Sequence, residues 1–233
     1  MPGRGVHDGV KRMKLWLEDK ENTRYCLKLD IKKYYPSINH NILKSLIRKK
    51  VKCADTLWLL DEIIDSTPGI PIGNYLSQYF GNLYLAYFDH WMKETQGCRY
   101  YARYCDDIVV LHKSKVALHS LFDDVKKYLG DTLRLTIKEN WQVFPTHVRG
   151  IDFLGYRFFG THTLVRKRIV KKFLRQIGLA ERCGLNARSA NSIMSYYGWL
   201  KHGDAHHLWS SALVRLKDAG HGHDIPQPLR RGL

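Results

Sequence analysis

Between two apolar runs, Arg99 to Cys105 and Ile108 to Leu111, the chain places two aspartates side by side, Asp106 and Asp107. Both runs are rich in β-branched and aromatic residues, so the segment reads as two strands joined directly at Asp106-Asp107. Adjacent acids are a poor turn, because tight hairpins favour Asn-Gly or Asp-Gly and neighbouring like charges repel. A fold that keeps them there needs a compensating positive charge. A divalent cation supplies it directly, since Mg²⁺ takes hard oxygen ligands and is usually held by one or two carboxylates plus substrate phosphates. A third acid, Asp30, ends an alternating segment in which Leu27, Leu29 and Ile31 flank Lys28 and Asp30. If that strand pairs with the first two, three carboxylates meet at neighbouring strand ends, which suits a two-metal displacement. Taken singly, each aspartate is equally well read as a solvated strand-end acid.

The remaining pattern mixes strands and helices without a regular βαβ beat, which predicts an α+β fold, an antiparallel sheet layered with helices. Asn39 is placed to cap a helix with an apolar face of Ile42, Leu43, Leu46 and Ile47, and Asp55 to cap a second ending near Ile64. Two prolines and two glycines make residues 67–73 a loop. Leu76 to Trp91 shows helical spacing, with Gly97 just beyond its end. A helix is expected from about Ser114 to Leu129, a strand through Leu133, Leu135 and Ile137, and a short turn or hairpin at Phe153-Leu154-Gly155-Tyr156. Past Val165 the chain turns into helical segments dense in Arg and Lys, and a domain boundary is expected there.

The formal net charge is +16. Clustered cations gain free energy by releasing counterions from phosphates, so nucleic acid is the first partner to consider, with any other acidic surface as the bland alternative. Five cysteines, Cys26, Cys53, Cys98, Cys105 and Cys183, are widely spaced without a CxxC pair, which argues against a disulfide framework or zinc site and fits a reducing cytoplasm. No apolar run reaches the roughly 18 residues of a membrane span, and no signal peptide is read at the start, so a cytoplasmic protein without a membrane partner is expected.

Three ordered segments resemble successive motifs of the reverse transcriptase family: Leu29-Asp30-Ile31-Lys32-Lys33-Tyr34-Tyr35-Pro36, Pro71-Ile72-Gly73-Asn74-Tyr75-Leu76-Ser77-Gln78 and Tyr104-Cys105-Asp106-Asp107. Arg4-Gly5-Val6-His7 resembles the motif preceding them; Leu135-Thr136-Ile137-Lys138 and Phe153-Leu154-Gly155-Tyr156 resemble the last palm motif and the primer grip. The resemblance implies a polymerase palm with partial fingers and a helical thumb: residues 1–20 a remnant of fingers, 21–165 the palm with fingers-proximal helices at about 39–68, and 166–233 a basic thumb. The implied activity is RNA-directed DNA polymerase, with two Mg²⁺ ions, or Mn²⁺ in their place, and with an RNA template, a DNA primer and dNTPs as partners. An accessory protein is a further expected partner.

By the same resemblance Asp30, Asp106 and Asp107 are catalytic and metal-binding, with the backbone carbonyl of Ile31 completing a shell and Lys138 protonating the leaving pyrophosphate. Tyr35 is the steric gate under the incoming sugar; the bland reading makes it a core aromatic, with Tyr34 the more exposed of the two. Gly73, Ser77 and Gln78 would touch the nascent pair. Arg4, His7, Phe153, Leu154, Gly155, Arg166, Lys167, Arg168, Lys171 and Lys172 would meet nucleic acid. The family's usual fingers strands do not precede Arg4, so a fragment or natural short form is expected, and Arg4 or Lys11 is a candidate substitute for their basic residues. Where most members carry Gln-Gly and Ser-Pro, this chain has Ile72-Gly73 and Ser77-Gln78. That form, with Ser195 to His202, resembles reverse transcriptases of diversity-generating retroelements. Group II intron-like enzymes, phage-defence enzymes, a palm-fold RNA polymerase and a non-catalytic maturase-like RNA-binding module are the alternatives.

Overall fold

The computed structural model describes residues 5–71 and 73–221, so Arg4 and Ile72 lie outside the described residues. The chain divides into two compact units: Glu21–Pro145, and the described residues of Met1–Lys20 together with those of Thr146–Leu233. The second unit therefore begins with helix α1 (Val6–Glu18), whose Val10, Met13 and Leu17 are buried.

In the first unit, β1 (Tyr25–Asp30) is followed by the short helix α2 (Tyr34–Ser37), then α3 (His40–Arg48), α4 (Ala54–Asp65), α5 (Tyr75–Tyr84) and α6 (Ala86–His90). After a π-helical turn come β2 (Tyr100–Tyr104), β3 (Asp107–His112), the long α7 (Lys115–Leu133) and β4 (Gln142–Pro145). The four strands form one antiparallel sheet in the order β2-β3-β1-β4. Alternation sends Leu27, Leu29, Ile31, Ile108 and Val110 into one core with Leu43, Phe80, Tyr84, Phe88, Leu118 and Val125 from the helices. Burial of that face fixes the register, because a one-residue slip would send its apolar set to the opposite face.

Several elements agree with the sequence pattern. The Asn39 side chain accepts from the Ile42 amide, and Ser114 caps α7 by accepting from Ala117. Others differ. Helix α4 starts after Cys53, which leaves Asp55 in the first turn, where its charge complements the helix dipole, and not at the cap. The long helix expected from Leu76 to Trp91 breaks at Leu85, whose φ and ψ of −97° and 1° are non-helical. Leu133, Leu135 and Ile137 do not form a strand. Helix α7 extends to Leu133, left-handed Arg134 ends it, and the Leu135 amide returns to the Leu129 carbonyl. Ile137 makes an isolated bridge to Ile31, and the strand that pairs with β1 is β4, which lies further on. Three apolar residues at period two were thus shared between a helix end and an extended segment, which periodicity alone cannot separate.

In the second unit, a single turn α8 (Thr146–Arg149) leads into an antiparallel sheet of β5 (Ile151–Phe153), β6 (Tyr156–Phe158) and β7 (Thr163–Val165). Helices α9 (Lys167–Cys183), α10 (Ala187–Leu200) and α11 (His206–Leu216) follow. They enclose Trp209, fully buried, with the Phe173 and Tyr197 rings at 5.9 and 5.0 Å. Asp204 ties the helices to the sheet, since its carboxylate accepts from the Thr163 amide at 2.6 Å. Among the described residues no helix is long and apolar enough to cross a membrane.

Candidate active site

The antiparallel pairing of β1 with β3 sets Asp30 directly opposite Asp107, and the Ile31 amide donates to the Asp106 carbonyl at 3.1 Å. All three expected acids therefore stand at one end of the sheet. Lys138 joins them. Its amide donates to the Asp30 carbonyl at 2.8 Å, and its ammonium lies 2.9 Å from Asp30 Oδ2. A second ammonium, Lys28, rests against the Asp107 carboxylate. Lys28 was not singled out in the sequence, although its separation of two residues from Asp30 puts both on one face of the strand.

Charge at this sheet end is poorly screened. The Asp106 carboxyl is pushed above the usual carboxylate range, first by burial and then by its hydrogen-bonded contact with Asp30; the Lys138 ammonium opposes the shift. Asp30 Oδ1 is buried without a hydrogen-bond partner. Among the described residues no group of three or more His, Cys, Asp or Glu side chains is placed so that it could hold a metal ion by itself. A hard divalent cation does not need one, because one or two carboxylates and substrate phosphates suffice. The unpartnered Asp30 oxygen and the acid beside it fit such a cation, which would offset the repulsion that burial creates.

Tyr35 follows on α2, entered through Lys33 in a left-handed conformation with φ of 46°. Tyr34 is buried, and its hydroxyl donates to the Gly81 carbonyl at 2.5 Å. Tyr35 is half-buried, and its hydroxyl reaches 4.0 Å from Cys105 Sγ, beside the acids. The order of exposure is the reverse of what the core-aromatic reading required. Burial and the adjoining thiol hold the Tyr35 phenol at about 12, so it stays neutral at physiological pH. Gly81, missed in the sequence, sits under both rings: a Cβ there would lie 3.2 Å from Tyr35 and 3.3 Å from Tyr34.

The 67–73 loop is moored to the same turn. The Ile70 amide donates to the Tyr35 carbonyl at 3.0 Å, and His40 Nε2 is 2.7 Å from the Gly69 carbonyl. Gly69 has φ of 74°, and a side chain there would strike the Pro36 backbone. Ser77 is buried and its hydroxyl donates to the Pro71 carbonyl, so it anchors the loop; Gly73 and Gln78 are exposed.

The turn bearing the acids rests on residues that the sequence did not announce. Cys105 is left-handed, with φ of 54°. Arg103 Nη1 donates to the Cys105 carbonyl at 2.9 Å, while its Nε and Nη2 donate to Asp89 at 2.8 and 2.6 Å. The Tyr101 hydroxyl also donates to Asp89, at 2.5 Å. A lone acid among Leu85, Phe88 and Met92 was the available signal, and it does not reveal its partner.

The second unit carries the described residues among those expected to meet nucleic acid. Phe153 and Leu154 are buried, and Leu154 and Gly155, both at positive φ, form the β5-β6 turn. Arg166 caps α9 and is engaged with Asp152 at 2.8 and 2.5 Å. Lys167, Arg168, Lys171, Lys172 and Arg175 are exposed on α9, opposite buried Phe173, Ile177 and Ala180. His7 is exposed and stacks on His202 with ring centroids 4.1 Å apart. His206 and His207 are exposed at the start of α11.

Comparison with known proteins bears on this arrangement of acids. Protein YkfC of Escherichia coli (strain K12) is 24% identical over 212 residues, 72% of this chain and 54% of that protein. The chain thus spans about half the length of the curated relative it matches. Apo telomerase from Candida tropicalis shares the fold with a TM-score of 0.56 at 13% identity, over 95% of this chain and 47% of that one. Telomerase from Candida albicans, solved in complex with a fragment of telomeric RNA, gives 0.56 at 11% identity over 94% and 44%. The mixed fold with antiparallel sheets is therefore that of a polymerase of this kind. The profile of the reverse transcriptase (RNA-dependent DNA polymerase) family matches residues 1–158, which include every acid at the sheet end, and this chain belongs to that family.

Proposed function

We propose that this chain is an RNA-directed DNA polymerase, extending a DNA primer with dNTPs on an RNA template. The observation that carries the reading is the meeting of Asp30, Asp106 and Asp107 at one sheet end with Lys138 against Asp30. Reverse transcriptases use divalent metal ions, and Asp30, Asp106, Asp107 and the Ile31 carbonyl are the groups that would hold two Mg²⁺, or Mn²⁺, here. When bound, such ions neutralise charge on the attacking and leaving oxygens of the phosphoryl transfer.

The chain's own residues do the rest. Asp30 and Asp106 are fixed by backbone pairing, so little reorganisation accompanies the reaction. Lys138, held by its own amide and by Asp30, is positioned to give a proton to the departing pyrophosphate. The neutral Tyr35 ring, steadied over Gly81 with its hydroxyl toward Cys105 beside the acids, is in this reading the steric gate that would exclude a ribose 2′-hydroxyl and so select deoxynucleotides. Gly73 and Gln78, exposed at the entry to α5, are the groups offered to the nascent pair, and Ser77 holds their loop. Residues 21–165 act in this reading as palm and 166–233 as thumb, with 1–20 as a remnant of fingers. The exposed cations of α9 and the Phe153-Leu154-Gly155 turn grip the template–primer through its backbone, because a polymerase must accept every sequence. The Ile72-Gly73 and Ser77-Gln78 form, through its resemblance to diversity-generating retroelement enzymes, supports a role in such an element, with an accessory protein as a further partner.

Primer extension on an RNA template with dNTPs and Mg²⁺ tests this, run beside an Asp106→Ala, Asp107→Ala double variant with template binding measured for both. Extension by the wild type, lost in the variant while binding persists, is the expected result. Tight binding by both without extension by either overturns the polymerase reading in favour of an RNA-binding module.

A further inference from the structure

The acids at the hairpin tip owe their placement to Cys105, which precedes them in a left-handed conformation that side-chain-bearing residues avoid. Something must hold it there. Arg103 is in reach, two residues back on β2, with only 7% of its side chain exposed. Its guanidinium is divided between two tasks. Nε and Nη2 form a two-point pair with Asp89 of α6, and Nη1 caps the Cys105 carbonyl at 2.9 Å. Asp89 is itself steadied by the Tyr101 hydroxyl. A planar fork fixed at one end delivers its remaining donor in a defined direction, which an ammonium on a flexible stem does not.

We propose that Arg103, anchored by Asp89, is the positioning residue of the active site: it holds Cys105 left-handed and thereby sets Asp106 and Asp107 against Asp30. The inference rests on the reading of these acids as the polymerase centre. A merely structural ion pair would also tie α6 to β2, but it would have no reason to send a third donor to the carbonyl of the strained turn residue. The two roles separate chemically. Lysine at 103 keeps a charge for Asp89 but cannot also span to Cys105, and glycine at 105 adopts the left-handed conformation without help.

The test compares wild type, Arg103→Lys, Cys105→Gly and the double variant for kcat, template–primer affinity, thermal midpoint and the rise of that midpoint on adding Mg²⁺. Expected for Arg103→Lys is a kcat loss on the order of 100-fold, the scale of an ångström-sized misplacement. Template–primer affinity should stay within about twofold, and the Mg²⁺-induced rise should shrink. Relative to Arg103→Lys, the double variant should recover most of the kcat and of the Mg²⁺ response and approach Cys105→Gly alone, because the turn no longer needs the guanidinium. A kcat loss that follows the fall in midpoint, with no recovery in the double variant, overturns the proposal. If the wild type extends no primer, the polymerase reading fails and the Mg²⁺ response decides this one: diminished in Arg103→Lys and restored in the double variant supports it, unchanged in Arg103→Lys overturns it.

Discussion

Asp106 carries a charge in a place that resists it. Its carboxyl holds a proton more tightly than usual because of burial and the Asp30 carboxyl, with Lys138 only partly compensating. A carboxyl whose proton affinity is raised by folding stabilises the fold at low pH and loses that contribution as pH rises through the raised folded-state value. At neutral pH the wild type has lost it. Asparagine at 106 does not ionise and keeps it, so without divalent cations Asp106→Asn should melt higher than wild type at pH 7. The difference should close as the pH falls through the range between the ordinary and raised values. Thermal melts across pH 3 to 8 check this. A variant that melts lower than wild type at pH 7 would remove the electrostatic account of the site. The same acids that suit a cation thus cost stability alone, which is the expected signature of a site shaped for function.

At the scale of elements, the β5-β6 hairpin shows how a local turn is committed to its surroundings. Leu154 and Gly155 have φ of 52° and 84°, the pair of positive values that a two-residue hairpin with the right-handed strand twist requires. Gly155 is doubly constrained: a Cβ there would lie 2.6 Å from Cζ3 of Trp199 on α10 and 3.2 Å from Ile169 on α9. Backbone strain and the displaced indole together should make Gly155→Ala destabilising by about 1–3 kcal/mol. Urea unfolding of the variant measures it, and a change below about 0.5 kcal/mol, the level of an ordinary surface substitution, would show the turn to be tolerant. Sequence reading found this turn from Phe153-Leu154-Gly155-Tyr156 alone, because glycine between two apolar pairs is a local signal. It did not find β4, or the break at Leu85, because four short residues and one bent dihedral leave no period to detect.

For the molecule as a whole, a net charge of +16 over 233 residues must be spent on something polyanionic or be screened. Helix α9 concentrates it. Lys171, Lys172 and Arg175 are exposed on the side away from Phe173 and Ile177, and the lysines have no ion-pair partner among the described residues. If they lie along template–primer phosphates, replacing all three by glutamine should lower the steepness of log Kd against log salt by about 2 to 3, at roughly 0.7–0.9 per phosphate contact. Fluorescence anisotropy from 50 to 300 mM salt measures this; an unaltered slope would take α9 out of the nucleic-acid interface.

What the sequence by itself determined were the features that repeat or stand next to one another along the chain. The alternation through Leu27, Leu29 and Ile31, the Asp106-Asp107 junction, the Asn39 cap, the helix beginning near Ser114 and the basic face of α9 all follow from spacing, and spacing is preserved on folding. The tertiary structure decided which acids meet. Only strand pairing in one register sets Asp30 opposite Asp107, brings Lys138 back to Asp30, places Gly81 beneath Tyr34 and Tyr35, and passes the Arg103 guanidinium between Asp89 and Cys105. Apart from Arg103 and Cys105, the partners lie from 14 to over 100 residues apart, and single side chains carry no record of a distant partner. Their choice is made by the burial of a shared core, which fixes the register first and brings the polar groups together as a consequence.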